Sequence, residues 1–170
     1  MTIQIGIAIA GAAIASVFDL KIKKIPNWLT FSMMFSGLIL NSYYGGMNGF
    51  EQSFFGLILG IASLYLPFAL GGVGGGDVKL LGAIGSLLGT ILIFKIILVS
   101  AIFGGIFSLF FIIGKKRTKE VFLEIRNKVT FFILTRKVLP EKLEANQKLS
   151  IPYACAISLG TMLVIFVLRG

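Results

Sequence analysis

The sequence contains no histidine, one cysteine and only two aspartates in 170 residues. Without histidine the chain cannot build a Ser-His-Asp triad, and Cys155 alone supports neither a Cys/His zinc site nor a disulfide framework. Cys155 sits in an apolar run and reads as a small buried hydrophobe. Charge is scarce as well: 14% of residues are charged, against about a quarter in an ordinary soluble domain. Conversely, 56% are hydrophobic and the mean hydropathy is +0.96, more apolar side chain than one soluble core of this size takes up. Lipid is the implied solvent. Any catalysis falls to carboxylates, lysines, hydroxyls or backbone, and neither a metal nor a cofactor is expected.

Long charge-poor runs dominate the chain. A bilayer-crossing helix needs about 20 apolar residues, with roughly 17 as a practical minimum. Helices are expected over 3–18, 28–44, 54–70, 78–90, 92–113 and 151–168, within one membrane-embedded domain spanning 1–170. No basic region precedes the first run, so it reads as a retained helix rather than a secretory signal. Trp28, Tyr43 and Tyr44 flank the second, where an aromatic belt belongs. The fourth and fifth share the stretch 78–113, with a turn expected between Ser86 and Lys95. Gly82, Gly85 and Gly89 serve either that break or close helix packing. Pro152 opens the sixth helix, where a missing amide is harmless.

The net charge of +9 suggests nucleic acid only if the chain is soluble. Here the positive charge gathers in alternate loops: Lys21, Lys23 and Lys24 in the first, Lys79 in the third, and a dense cluster from Lys115 to Lys148 in the fifth. The second has neither Lys nor Arg. By the positive-inside rule this alternation fits six helices with both termini outside the cytoplasm. Within the cytoplasmic loop 115–150, Phe122, Ile125, Val129, Phe132 and Ile133 recur at helical spacing among basic residues. They form either an amphipathic helix on the anionic leaflet or one packed on the membrane domain. The fold class is thus all-α and polytopic, with about six transmembrane helices plus this basic segment between the fifth and sixth. The lipid bilayer is a partner and nucleic acid is not.

The two aspartates, Asp19 and Asp77, close the first expected helix and open the fourth, so this topology puts both at the cytoplasmic ends. The five glutamates fall in expected loops. Carboxylates at a membrane border are costly to desolvate and tend to be functional. Two of them a few ångströms apart resist joint ionisation and can share a proton; one then serves as general base on water while the other polarises a carbonyl. The plain alternative pairs Asp19 with Lys21 or Lys23 and makes Asp77 a helix N-cap. The glycine run before Asp77, Gly71-Gly-Val-Gly-Gly-Gly, exceeds what a cap needs and lets backbone approach a substrate. It lacks the spacing of a nucleotide-binding loop.

Gly74-Gly75-Gly76-Asp77 resembles the GxGD motif of intramembrane-type aspartic proteases. The continuation Val78-Lys79-Leu80-Leu81 resembles the type IV prepilin peptidases among them. Asp19-Leu-Lys-Ile-Lys-Lys-Ile-Pro-Asn-Trp-Leu-Thr is similar to that family's other aspartate site, and together the motifs hold both aspartates of the chain. The resemblance implies a catalytic dyad of Asp19 and Asp77. Around it, Gly74 and Gly76 would shape the loop, Pro26 and Asn27 would set the entry into helix two, and Lys79 would lie beside the site. Pro26 serves equally as a plain helix-start residue.

No paired Cys-x-x-Cys insertion separates the first helix from Asp19. The chain therefore resembles short, peptidase-only forms, as in tight-adherence (Flp) pilus systems or archaeal preflagellin peptidases; Ile151-Pro-Tyr-Ala leans toward the Flp kind. Implied partners are prepilin-like substrates with a hydrophobic helix, cleaved at the cytoplasmic face of the cell membrane. Two rival readings are a small ion- or proton-coupled transporter and a non-catalytic pilus-assembly subunit. Signal-peptide-peptidase-like and presenilin-like proteases share GxGD without the Ile-Pro-Asn context.

Overall fold

A computed structural model of the chain describes residues 2–69, 72–114 and 153–169. The loop 115–150, its expected amphipathic helix and the Ile151-Pro152 opening of the last helix lie outside the described residues. What is described is all helical: α1 (Thr2–Ile22), α2 (Asn27–Ala69), α3 (Gly75–Gly114) and α4 (Tyr153–Arg169). Three stretches are long and apolar enough to cross a membrane, Thr2–Ile22, Asn27–Ala69 and Gly75–Ser108, and Tyr153–Val167 is a shorter apolar helix. The chain is a membrane protein.

Two of these helices are interrupted. In α2 the backbone leaves helical geometry at Gly46 (φ 58, ψ −141), and in α3 at Gly89 (φ 78, ψ 178). Both values of φ lie where side-chain-bearing residues rarely go and glycine goes freely. Gly89 falls inside the window expected for a turn. Gly82 and Gly85 have the other role: a Cβ on Gly82 would press on Ile61, and one on Gly85 would meet the Gly56 carbonyl. The same region of α2 returns the contact, because a Cβ at Gly60 would run into the Leu81 carbonyl. Missing side chains thus let α2 and the first limb of α3 approach backbone to backbone.

That first limb is the centre of the bundle. Residues 80–89 are all buried, as expected of a helix that is apolar around its whole circumference. α3 packs against α1, α2 and α4, and α1 also meets α2 and α4.

The boundaries differ from the expected ones at three places. α1 continues to Ile22, which makes Asp19 and Lys21 helical. α2 resumes directly after Gly46, so Glu51 is an exposed helical residue rather than a loop one; one glycine absorbs a reversal for which the sequence pattern suggested a longer loop. α3 begins at Gly75, two residues before Asp77.

The break at Gly89 leaves carbonyls of the preceding turn without helical partners. Side chains supply them. Asn41 Nδ2 donates to the carbonyls of Ser86 (2.8 Å) and Leu87 (3.1 Å), and Ser53 Oγ donates to Ser86 O (2.6 Å). Gln4 Nε2 in turn donates to Asn41 Oδ1 (3.2 Å). In lipid no water stands in for such partners, so a broken helix requires an internal network of this kind.

Candidate active site

Asp19 lies on the last turn of α1. The helix closes when the Lys23 amide donates to Asp19 O (3.0 Å) with Lys23 at φ 55, a left-handed cap of the type usually made by glycine. The chain then passes through Ile25, which is buried, to Pro26. Pro26 acts as the N-cap of α2: its carbonyl accepts the amides of Leu29 (3.2 Å) and Thr30 (3.5 Å). Asn27 follows as the first helical residue.

Asp77 occupies the first turn of α3. Gly74 O accepts the amides of Asp77 (3.1 Å) and Val78 (3.4 Å), which makes Gly74 the N-cap. Asp77 is therefore not the cap itself but the third helical residue. From there Oδ2 reaches back to accept the Gly74 amide (3.2 Å), the acidic half of a capping box. The other oxygen, Oδ1, is buried with no hydrogen-bond partner among the described residues. One carboxylate thus anchors the helix end and still keeps an oxygen uncommitted.

Both aspartates are buried, Asp19 at 7% exposure and Asp77 at 5%, and they lie within electrostatic reach of each other. The charge of exposed Lys23 reaches the Asp19 carboxylate, whose Oδ2 accepts the Ala154 amide of α4 at 3.3 Å. The charges of both carboxylates reach Cys155, and that of Asp77 reaches Tyr153.

The remaining expected residues surround this pair. Gly76 faces Ile25, and a Cβ there would stand 3.0 Å from that of Ile25. Lys79 Nζ donates to Asn27 Oδ1 (2.9 Å) and lies 5.5 Å from the centre of the Phe31 ring. It ties α3 to the start of α2 and, among the described residues, bonds to neither carboxylate. Ser16, Tyr153, Ala154 and Ile25 were not singled out from sequence. Ile25 and Tyr153-Ala154 belong to the Ile-Pro-Asn and Ile151-Pro-Tyr-Ala motifs, but nothing local says that a small residue's amide will serve a carboxylate in a distant helix. Among the described residues no group of three or more His, Cys, Asp or Glu side chains gathers to hold a metal ion.

A helical membrane protein with two buried carboxylates brought together from different helices is the class this arrangement defines. Residues 6–109 match the type IV leader peptidase family, and the chain belongs to that family. Two curated relatives are preflagellin peptidases. That of Methanocaldococcus jannaschii is 39% identical over 82 residues, which is 46% of this chain and 35% of the relative. That of Methanococcus voltae is 34% identical over 90 residues, 51% of this chain and 38% of the relative. The matches thus span well under half the length of those relatives. No solved structure matches the chain.

Proposed function

We propose that the chain is a membrane aspartic endopeptidase that removes the leader peptide from type IV prepilin-like or preflagellin-like precursors, with Asp19 and Asp77 as its catalytic dyad. One observation carries the reading: the two aspartates of the chain, 58 positions apart in sequence, are buried within electrostatic reach of each other. Family membership supports it, since the match at 6–109 includes both aspartates and the glycine loop.

In the proposed reaction the ionised carboxylate takes a proton from water as the water oxygen attacks the scissile carbonyl carbon. The protonated partner donates to the carbonyl oxygen, giving a neutral gem-diol. Collapse of the diol breaks the C–N bond as one hydroxyl proton returns to the carboxylate that had donated it, and the proton taken from water passes to the leaving amine. Gly74 caps α3 and Gly76 lets its first turn close on Ile25, Pro26 caps the entry into α2, and the Lys79–Asn27 bond holds that entry against α3.

The breaks at Gly46 and Gly89 divide α2 and α3 into two limbs each, which supports a reading of six membrane-crossing segments with α1 and α4. On that reading the basic residues at 21–24 and 115–148 support a dyad at the cytoplasmic face of the cell membrane. A basic leader meets the site there while the hydrophobic helix of the precursor stays in lipid. The first experiment incubates the chain in lipid vesicles with such a precursor and maps products by mass spectrometry. A single cut at the leader boundary, absent from an Asp19→Asn/Asp77→Asn double variant, is the expected result. Equal cutting by the double variant overturns the reading.

A further inference from the structure

α4 lies outside the residues that match the family, yet its first turn touches the proposed dyad. The Ala154 amide donates to Asp19 Oδ2 (3.3 Å). It is one of the first-turn amides that have no acceptor within their own helix, and the positive end of a helix favours a carboxylate beside it. A second bond runs between the same two elements: Ser16 Oγ approaches the Ala154 carbonyl at 3.0 Å and the Ala12 carbonyl at 2.9 Å. Ser16 precedes Asp19 by three residues on α1, so the two side chains share a helix face. Ala154 is therefore held through both its backbone groups by one face of α1, and it is fully buried.

α4 is also seated on α3, the helix that carries Asp77. A Cβ on Gly104 of α3 would collide with the Tyr153 ring, and one on Gly160 of α4 would collide with Ser100. Small residues at both contacts let the helices close up. The position of the Ala154 amide is consequently fixed relative to α3, and through that amide so is the orientation of the Asp19 carboxylate.

We propose that the first turn of α4 is a positioning element for Asp19, with the Ala154 amide as the orienting donor and Ser16 as its tether. The inference rests on the two-aspartate reading above and extends it to a part of the chain that the family match does not reach. Ala154 and Ser16 touch no reacting atom; they act through Asp19.

The test measures kcat and KM for precursor cleavage in vesicles, normalised to inserted protein, with Asp19→Asn in the same assay. Ala154→Pro deletes the donor at a position where a helix tolerates proline, because first-turn amides have no helical acceptor. Ser16→Ala deletes the tether and Ser16→Thr keeps it. A hydrogen bond to a charged group is worth enough that losing it lowers kcat roughly ten- to a hundredfold. The expected result is a fall of that size for Ala154→Pro and a smaller one for Ser16→Ala, each with KM within about twofold of wild type. Ser16→Thr restores the rate. If Ala154→Pro fails to insert, the Ser16 pair decides alone.

Wild-type kcat in Ser16→Ala, or an effect confined to KM, overturns the positioning role while an inactive Asp19→Asn leaves the dyad standing. An Asp19→Asn variant that still cleaves overturns both.

Discussion

The two oxygens of Asp77 have different employment. Oδ2 accepts the Gly74 amide and finishes the start of α3, while Oδ1 is buried without a partner among the described residues. An unpartnered buried oxygen on an acid costs stability unless function retains it. Asparagine keeps an acceptor for the Gly74 amide, so Asp77→Asn removes the proposed acid–base group and spares the cap. Lys23 shows a similar tension four residues past Asp19. Its φ of 55 costs a side-chain-bearing residue about 1–2 kcal/mol, part of which glycine returns through its larger unfolded-state entropy. Lys23→Gly is therefore expected to raise thermal stability in detergent by up to about 1 kcal/mol; a lowered melting temperature would show that the Lys23 side chain contributes more than its backbone costs.

Among the elements, α3 bears most of the architecture. Its first limb is buried along 80–89 and presents Asp77 at one end, while Gly89 and the Asn41 network stand at the other. Replacing Asn41 by alanine strips the Leu87 carbonyl of this donor and costs Gln4 a partner. At about 1–3 kcal/mol for a buried group left unpaired, the variant is expected to lose roughly that much stability in a denaturation series. An unchanged midpoint would mean that the carbonyls find other donors.

How α3 bends was only half legible in the sequence. A run of apolar residues too long for one span, dotted with glycines, announces two limbs. It does not say which glycine breaks and which ones pack, since that depends on what Gly56 and Gly60 of α2 present across the contact. The Asp19–Ala154 bond was hidden for the same reason: it joins residues 135 positions apart through a backbone amide, and backbone donors carry no sequence signature.

Across the whole molecule, the membrane character and the helical class could be read directly, because both rest on composition: lipid demands long apolar runs. The two aspartates stood out by their rarity, but charge placement left them open to a helix cap and a surface ion pair, and only the motifs around them suggested a dyad. Orientation rests on the alternation of basic loops and is open to a direct check. In intact cells carrying the Cys155→Ala background, a membrane-impermeant maleimide is expected to label Asn48→Cys, at the exposed Gly46 reversal. Lys24→Cys, in the exposed link between α1 and α2, is expected to react only after permeabilisation. The opposite pattern would turn the molecule over and place the dyad outside.

The most direct test of the central claim is the rate at which vesicle-inserted wild type, Asp19→Asn and Asp77→Asn each cleave a precursor with a basic leader and a hydrophobic helix. The expected result is one cut by wild type and a loss of at least about a thousandfold in each single variant at equal insertion, since the dyad acts as a unit. Cleavage by either variant at close to the wild-type rate would contradict the two-aspartate mechanism.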